Sequence, residues 1–160
     1  MNEIGEQLRQ CMRHWPAGVT VVTSQYLTER HGMTVNSFTS VSLAPPVVSV
    51  TLANDTRTIK MLLASGILGI TILNEDQVDI SERFAGHIPD EGNRFIDLEL
   101  FTLTTGAPFL AGGSAFLDCR MRAVFPLDNS TLFLLDVVAA QSSSLYRPLV
   151  YFNRGYQKMP

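Results

Sequence analysis

The feature that most restricts the fold is a succession of strand-length runs of β-branched and aliphatic residues. AGVTVVTS (17–24), HGMTV (31–35), VVSVTLA (47–53) and ILGITILN (67–74) fill the first half of the chain. LELFTL, SAFLDCRMRAVF, TLFLLDVVAAQ and LVYFN follow in the second. Runs of this composition, bounded by Gly, Pro and Asn, read as β-strands. A parallel sheet would need a crossover helix between successive strands. Only three short helical patterns are present, so the pattern predicts a mainly β, closed or sandwiched antiparallel sheet.

The helices are placed by spacing and caps. Ile4, Leu8, Cys11, Met12 and Trp15 recur at helical intervals, which predicts an amphipathic helix over 2–14 ended by Pro16. NDTRTIKMLLASG predicts a second, with Asp55 or Thr56 as N-cap and Gly66 closing it. In EDQVDISERFAG, Asn74 is the expected N-cap, with Gln77 three residues on in capping-box position. Residues 86–97 are expected to be a loop. Pro45-Pro46 excludes helix and sets an extended entry to the strand that follows. No repeat, low-complexity segment or linker divides the 160 residues, so one domain over 1–160 is expected.

Several function classes are disfavoured. A net charge of −3 leaves no basic stripe for nucleic acid. No window approaches the roughly 18 uninterrupted apolar residues of a membrane span, and the N-terminus lacks a secretory pattern. Cys11 and Cys119 lie far apart, in neither CxxC nor zinc-ligand spacing. The expectation is therefore a cytoplasmic protein. His14, His31 and His87 have no spacing that would build a metal site. GxGxxG, the P-loop, HExxH and GxSxG are all absent. An enzyme of this composition would delegate its chemistry to a cofactor.

Two segments could hold one. Between His31 and Val50, the residues Thr34, Asn36, Ser37, Thr39, Ser40 and Ser42 fall within nine positions that contain no charge. Hydroxyls that both donate and accept suit the carbonyl and N–H edge of a flat heterocycle such as an isoalloxazine. Each neutral hydrogen bond contributes only about 0.5–1.5 kcal/mol, so several are needed. The alternative is an ordinary Ser/Thr-rich loop between strands. In NDTRTIK, Thr56 and Thr58 sit at a helix N-terminus that would attract phosphate, with Arg57 or Lys60 adding charge. Here the alternative is a capped surface helix with solvated cations.

Taken in order, these segments resemble the flavin reductase-like family, small NAD(P)H:flavin oxidoreductases that serve two-component flavin monooxygenases. PAGVTVVTS is similar to the family's first strand, and GMTVNSFTSVSLAPPVVSV to its GxTxxSFxSVSxxPP segment. NDTRT resembles the NxSxT element, and GITILNEDQVDISERFAG the strand–helix–FAG block. Asn93-Arg94-Phe95, GSAFLDCRM and PLVYFNRGYQKM resemble later elements, so the likeness runs from Trp15 to Gln157.

The resemblance implies a split β-barrel, a homodimer, and noncovalent FMN or FAD near the dimer interface. It implies that Thr34, Val35, Asn36 and Ser37 face the ring and ribityl chain, with Ser40, Val41, Thr56 and Thr58 near the phosphate. Phe84, Ala85 and Gly86 would border the flavin, and Arg94 and Phe95 the pocket mouth. The implied reaction is hydride transfer from NADH or NADPH to the flavin, which then leaves for a partner monooxygenase. One departure stands out. Where the family commonly has Gly-Asp-His before the strand TLF, this chain has Asp128, Asn129 and Ser130. The missing imidazole keeps open a flavin-binding protein on the same barrel without nicotinamide-dependent activity.

Overall fold

The computed structural model describes residues 3–88 and 92–159. An N-terminal helix α1 (Glu3–Met12) precedes β1 (Ala17–Gly18), β2 (Thr20–Tyr26), β3 (Glu29–Val35), β4 (Thr39–Leu43) and β5 (Pro46–Ala53). Next come α2 (Arg57–Ser65), β6 (Ile67–Ile72) and α3 (Val78–Ala85). The rest is β: β7 (Leu100–Thr102), β8 (Pro108–Leu110), β9 (Ala115–Pro126), β10 (Ser130–Ser142), β11 (Val150–Phe152) and β12 (Gly155–Gln157). Among the described residues the chain is thus mainly β with three helices, every strand pair antiparallel.

Seven strands form the main sheet in the order β3-β2-β6-β9-β10-β5-β4. Its two edges, β3 and β4, are not paired with each other, yet they are consecutive in the chain. Only residues 36–38 join them, and four residue steps span at most about 14 Å. The sheet must therefore curl until its edges approach. Ser37 fastens the crossing: its hydroxyl donates to the Thr51 carbonyl at 2.8 Å and accepts from the Thr51 N–H at 3.1 Å. Smaller sheets, β1-β11-β12 and β7-β8, complete the molecule.

Strand β2 is buried on both faces, which explains why TVVTS reads as continuous rather than alternating. Val22 joins a core with Val48, Val50, Leu68, Phe133 and the α2 residues Ile59 and Leu62. Val21, on the other face, packs with Leu73, Phe84 of α3, Phe95 and Leu149. α2 and α3 are thereby docked by their apolar stripes. α1 differs: none of its residues is buried, and its apolar side, followed by Trp15, lies open.

Several expectations are refined. Thr56, not Asp55, caps α2, accepting from the Ile59 N–H at 3.4 Å, and Gly66 closes the helix at φ 71°. Asn74 and Gln77 do exchange hydrogen bonds, Gln77 Oε1 accepting from the Asn74 N–H at 3.0 Å. That exchange closes a turn ahead of α3, which begins only at Val78. α1 stops at Met12, short of residue 14; Asn2, where that helix was expected to begin, lies outside the described residues. Ala44-Pro45 (a cis peptide) forms the turn of the β4–β5 hairpin, so only Pro46 enters the strand extended. β4, β8 and β12 were not anticipated as separate strands. Of the loop expected over 86–97, residues 89–91 lie outside the described residues.

Helix α3 can approach β3 because Gly32 has no side chain. A Cβ there would fall 2.9 Å from the Val22 carbonyl oxygen and 3.0 Å from the Phe84 ring. Gly32→Ala is expected to cost about 1–3 kcal/mol through this overpacking, read as a lower urea midpoint. Gly18→Ala, where nothing lies within 4 Å, should leave the midpoint unchanged.

Candidate functional site

The sheet edge β3, the start of α2 and the end of α3 converge on a cleft of about 650 Å³. β3 contributes His31, Met33 and Thr34; α2 contributes Thr56 and Arg57; α3 contributes Phe84 and Ala85. Gly92 and Arg94 complete its wall. A smaller cavity of about 240 Å³ adjoins it at Thr34 and Ala85, lined also by Val35, Asn36, Ser81, Glu82, His87 and Tyr156. On the other side, a polar groove of about 940 Å³ shares His31, Arg57 and Gly92 with the cleft.

The cleft carries the field of a helix N-terminus. α2 points its first amides and positive dipole end at the Thr56–Arg57 corner, where an anion would be favoured. The opposite wall is the C-terminal end of α3. There Arg94 Nη1 donates to the Phe84 carbonyl at 2.8 Å and to the Gly32 carbonyl at 3.3 Å. The cation meets the negative end of the helix and ties it to β3. Gly86, at φ 80°, takes the left-handed cap beside that guanidinium. Behind them Phe84 and Phe95 meet edge to face at 5.1 Å.

The hydroxyls expected to serve a ligand are largely paired within the protein. Thr34 Oγ1 donates to the Ser81 carbonyl at 2.7 Å, and Thr58, fully buried, bonds its hydroxyl to His31 Nδ1 at 2.8 Å. Thr56 caps its own helix and donates to the Ala53 carbonyl at 3.0 Å. Ser37 is spent on Thr51. Thus Thr34, Thr56, Phe84, Ala85 and Arg94 line the main cleft, and Val35 and Asn36 the small cavity. Ser37, Ser40, Val41, Thr58, Gly86 and Phe95 border neither; Ser40 and Val41 lie exposed on the edge strand β4. Met33 was missed and His31 was left out of the expected site, although both sit on the strand that carries Thr34.

Residues 12–160 match the family described as the flavin reductase like domain. The chain belongs to that family. It is 36% identical, over 96% of its own length and 86% of the other, to the reductase component of the FADH(2)-dependent resorcinol hydroxylase of Rhizobium sp.. Against the reductase component of 4-hydroxyphenylacetate 3-monooxygenase from Thermus thermophilus it is 31% identical, covering 96% of both chains. The solved NADH:FAD oxidoreductase of Streptomyces globisporus C-1027 superposes with a TM-score of 0.91 at 29% identity, covering 100% of this chain and 96% of that one.

In this flavin reductase-like chain, Asp128, Asn129 and Ser130 lie in the β9–β10 turn region and border none of the three cavities. Asn54, the first residue of NDTRT, holds that turn. Its Nδ2 donates to the Leu127 carbonyl at 3.2 Å, its N–H to the Asn129 carbonyl at 3.2 Å, and its Oδ1 accepts from Thr131 at 2.7 Å.

One cluster was invisible in the sequence. Tyr156 Oη donates to Glu82 Oε1 at 2.5 Å and lies 2.9 Å from Ser81 Oγ, while His87 Nδ1 reaches Glu82 Oε2 at 2.7 Å. The Tyr156 hydrogen bond, then that of His87, holds the Glu82 carboxyl below its ordinary 4.5. Burial, helped by the Glu82 charge, pushes the Tyr156 phenol up to about 12. The Glu82 contribution to stability is therefore complete above 4.5 and is lost as pH falls through the depressed value. The Tyr156 contribution is complete below 10 and is lost as pH climbs toward about 12. Tyr156→Phe is expected to remove the highest-titrating phenol from an ultraviolet phenolate titration. The same variant should move the Glu82 carboxyl upward in an NMR titration.

Proposed function

We propose that this chain is an NADH-dependent flavin reductase that binds FMN or FAD noncovalently and supplies reduced flavin to a partner monooxygenase. The observation that carries the reading is the cleft itself. It joins an anion-favouring helix start at Thr56 and Arg57 to a recess walled by the uncharged Thr34, Ala85, Val35 and Asn36, with the mutually hydrogen-bonded Glu82, His87 and Tyr156 also lining the small cavity. That combination fits a molecule with a phosphate at one end and a flat, neutral ring system at the other. The relatives named as reductase components, one of them of an FADH(2)-dependent hydroxylase, support the same assignment. NADH is favoured as donor because the similar Streptomyces enzyme is named for it.

In this reading the amides at the start of α2 and Arg57 hold the phosphate. Thr34, Val35, Asn36 and Ala85 border the ring, and the hydrogen bonds that spend the Thr34 and Thr58 hydroxyls keep the walls rigid. A flavin held there would supply the two-electron redox chemistry between nicotinamide and flavin. The protein's part is to orient two planes and exclude water, which requires no general base. Arg94 braces the cleft wall that it lines, and Ser37, Ser40, Val41, Thr58, Gly86 and Phe95 act from behind the wall or from a second subunit.

The remaining parts of the assignment rest on physical arguments. The short 36–38 crossing between opposite sheet edges supports a split β-barrel, with 1–160 as one domain. The open apolar side of α1 (Ile4, Leu8 and Met12) and the exposed Val41 and Leu43 of β4 support a homodimer that covers them. Two free thiols, Cys11 and Cys119, and a need for NADH suit the cytoplasm. A second reading, flavin binding without nicotinamide oxidation, is favoured by the Asp128-Asn129-Ser130 turn, which has no imidazole and borders none of the three cavities described above.

With NADH and free FMN the protein should consume NADH well above the uncatalysed rate. Flavin binding with no NADH consumption would select the second reading. Ala85→Trp fills an exposed position shared by the cleft and the small cavity. It should weaken FMN binding by about ten-fold or more, as fluorescence titration reads it, with the unfolding midpoint unchanged.

A further inference from the structure

Reduction of a flavin consumes a proton that the hydride does not bring. NADH delivers two electrons and one hydrogen nucleus, and a neutral dihydroflavin carries one proton more. The function proposed above leaves that proton without a source.

The small cavity beside the recess offers one. Its titratable groups are Glu82 of α3, His87 just past the helix cap, Tyr151 of β11 and Tyr156 of β12, while β3 brings only Thr34 and Val35. Two cations stand near but are engaged: Arg83 donates to the Ile96 carbonyl at 3.0 Å, and Arg94 to the Phe84 carbonyl at 2.8 Å. The Tyr156 hydrogen bond, then that of His87, holds Glu82 below 4.5, so its carboxylate only accepts. Burial pushes the Tyr156 phenol up to about 12, so it keeps its proton. Imidazole is the side chain that exchanges a proton near neutral pH.

His87 is also fixed at both ends. Its backbone N–H donates to the Glu82 carbonyl at 3.0 Å, beside the left-handed Gly86 that caps α3. Because the carboxylate cannot donate, the ring Nδ1–H donates to Glu82 Oε2 at 2.7 Å. Glu82 Oε1 accepts from Tyr156, which lies 2.9 Å from Ser81 Oγ. The ring nitrogen left for exchange is Nε2, which has no hydrogen bond among the described residues. The side chain is 66% exposed, so water can restore a proton once given.

We propose that His87 is the proton donor of flavin reduction, with Glu82 and Tyr156 as positioning residues behind it. The inference rests on the flavin reading above and deepens it. The nicotinamide C4–H bond breaks and its hydrogen passes to flavin N5 with both electrons. His87 gives its Nε2 proton to flavin N1, keeps the electron pair of the broken N–H bond as neutral imidazole, and regains a proton from water. The products are NAD+ and neutral dihydroflavin, so charge and hydrogen balance. A reduced ring left anionic beside this cavity would be repelled by the Glu82 carboxylate, and the proton from His87 removes that repulsion.

The test follows NADH oxidation with FMN by the whole protein and by His87→Gln and His87→Ala. Wild-type kcat should fall as pH is raised above neutral, because the donor must carry its proton. His87→Gln should lower kcat near neutral pH by about ten-fold or more and flatten that profile, with the NADH KM and the FMN dissociation constant within about two-fold. Added imidazole should restore His87→Ala in proportion to its concentration. In the flavin-free protein, NMR should show a His87 Nδ1–H signal that Glu82→Gln removes, and adding FMN should shift the His87 ring signals. An unaltered kcat or pH profile in His87→Gln, no rescue by imidazole, or His87 signals indifferent to FMN would overturn the proton donor and leave the flavin reading standing. A wild-type protein that binds FMN yet consumes no NADH would remove the reductase reading and the donor together.

Discussion

The structure depends on one short crossing. Residues 36–38 carry the chain from β3, at one edge of a seven-stranded sheet, to β4 at the other. A span that short forces the sheet to curl, and the Ser37 hydroxyl locks the crossing by replacing a missing ladder partner for Thr51. Two such hydrogen bonds contribute about 1 kcal/mol each, modest alone. Their position matters more than their energy, because the crossing leaves from β3, the strand that with the helices packed on β2 and β3 walls the cleft. β3 receives α3 through Gly32, and α2 sits against β2 and β3 with its first turn aimed along the edge.

From that frame the division of labour follows. The small hydroxyls are paired within the protein: Thr20 on the Val35 carbonyl, Thr34 on the Ser81 carbonyl, Thr58 on the His31 ring. They stiffen the site more than they decorate it. What faces the ligand space is the helix dipole, Arg57, the backbone and the exposed Ala85. A pocket built this way offers little acid–base chemistry, and it suits a reaction whose electrons are carried by a cofactor and a diffusing donor.

Much of the fold was legible because its signals are local. The β-branched run TVVTS, the Thr56 cap and the Gly66 stop each act within a few residues, and each proved correct. The two-residue Ala44-Pro45 turn was harder, since Pro-Pro alone does not distinguish an extended entry from a hairpin. The Asn74–Gln77 exchange likewise formed as expected but closed a turn instead of opening the helix. Sites were less legible. The Ser/Thr-rich stretch pointed to β3 and the crossing after it, where Thr34, Val35 and Asn36 line cavities. Ser40 and Val41, on the same stretch, lie on the other sheet edge.

By itself the sequence determined the mainly β class, the Thr56 and Gly66 limits of α2 and the presence of three short helices, since all of these follow from short-range periodicity and capping. Tertiary structure decided which polar groups remained open to a ligand. Thr34 finds its acceptor 47 residues away at Ser81, and Tyr156 finds Glu82 across 74. A hydroxyl's partner is set by which strand and helix the curled sheet brings beside it, and no spacing along the chain encodes that.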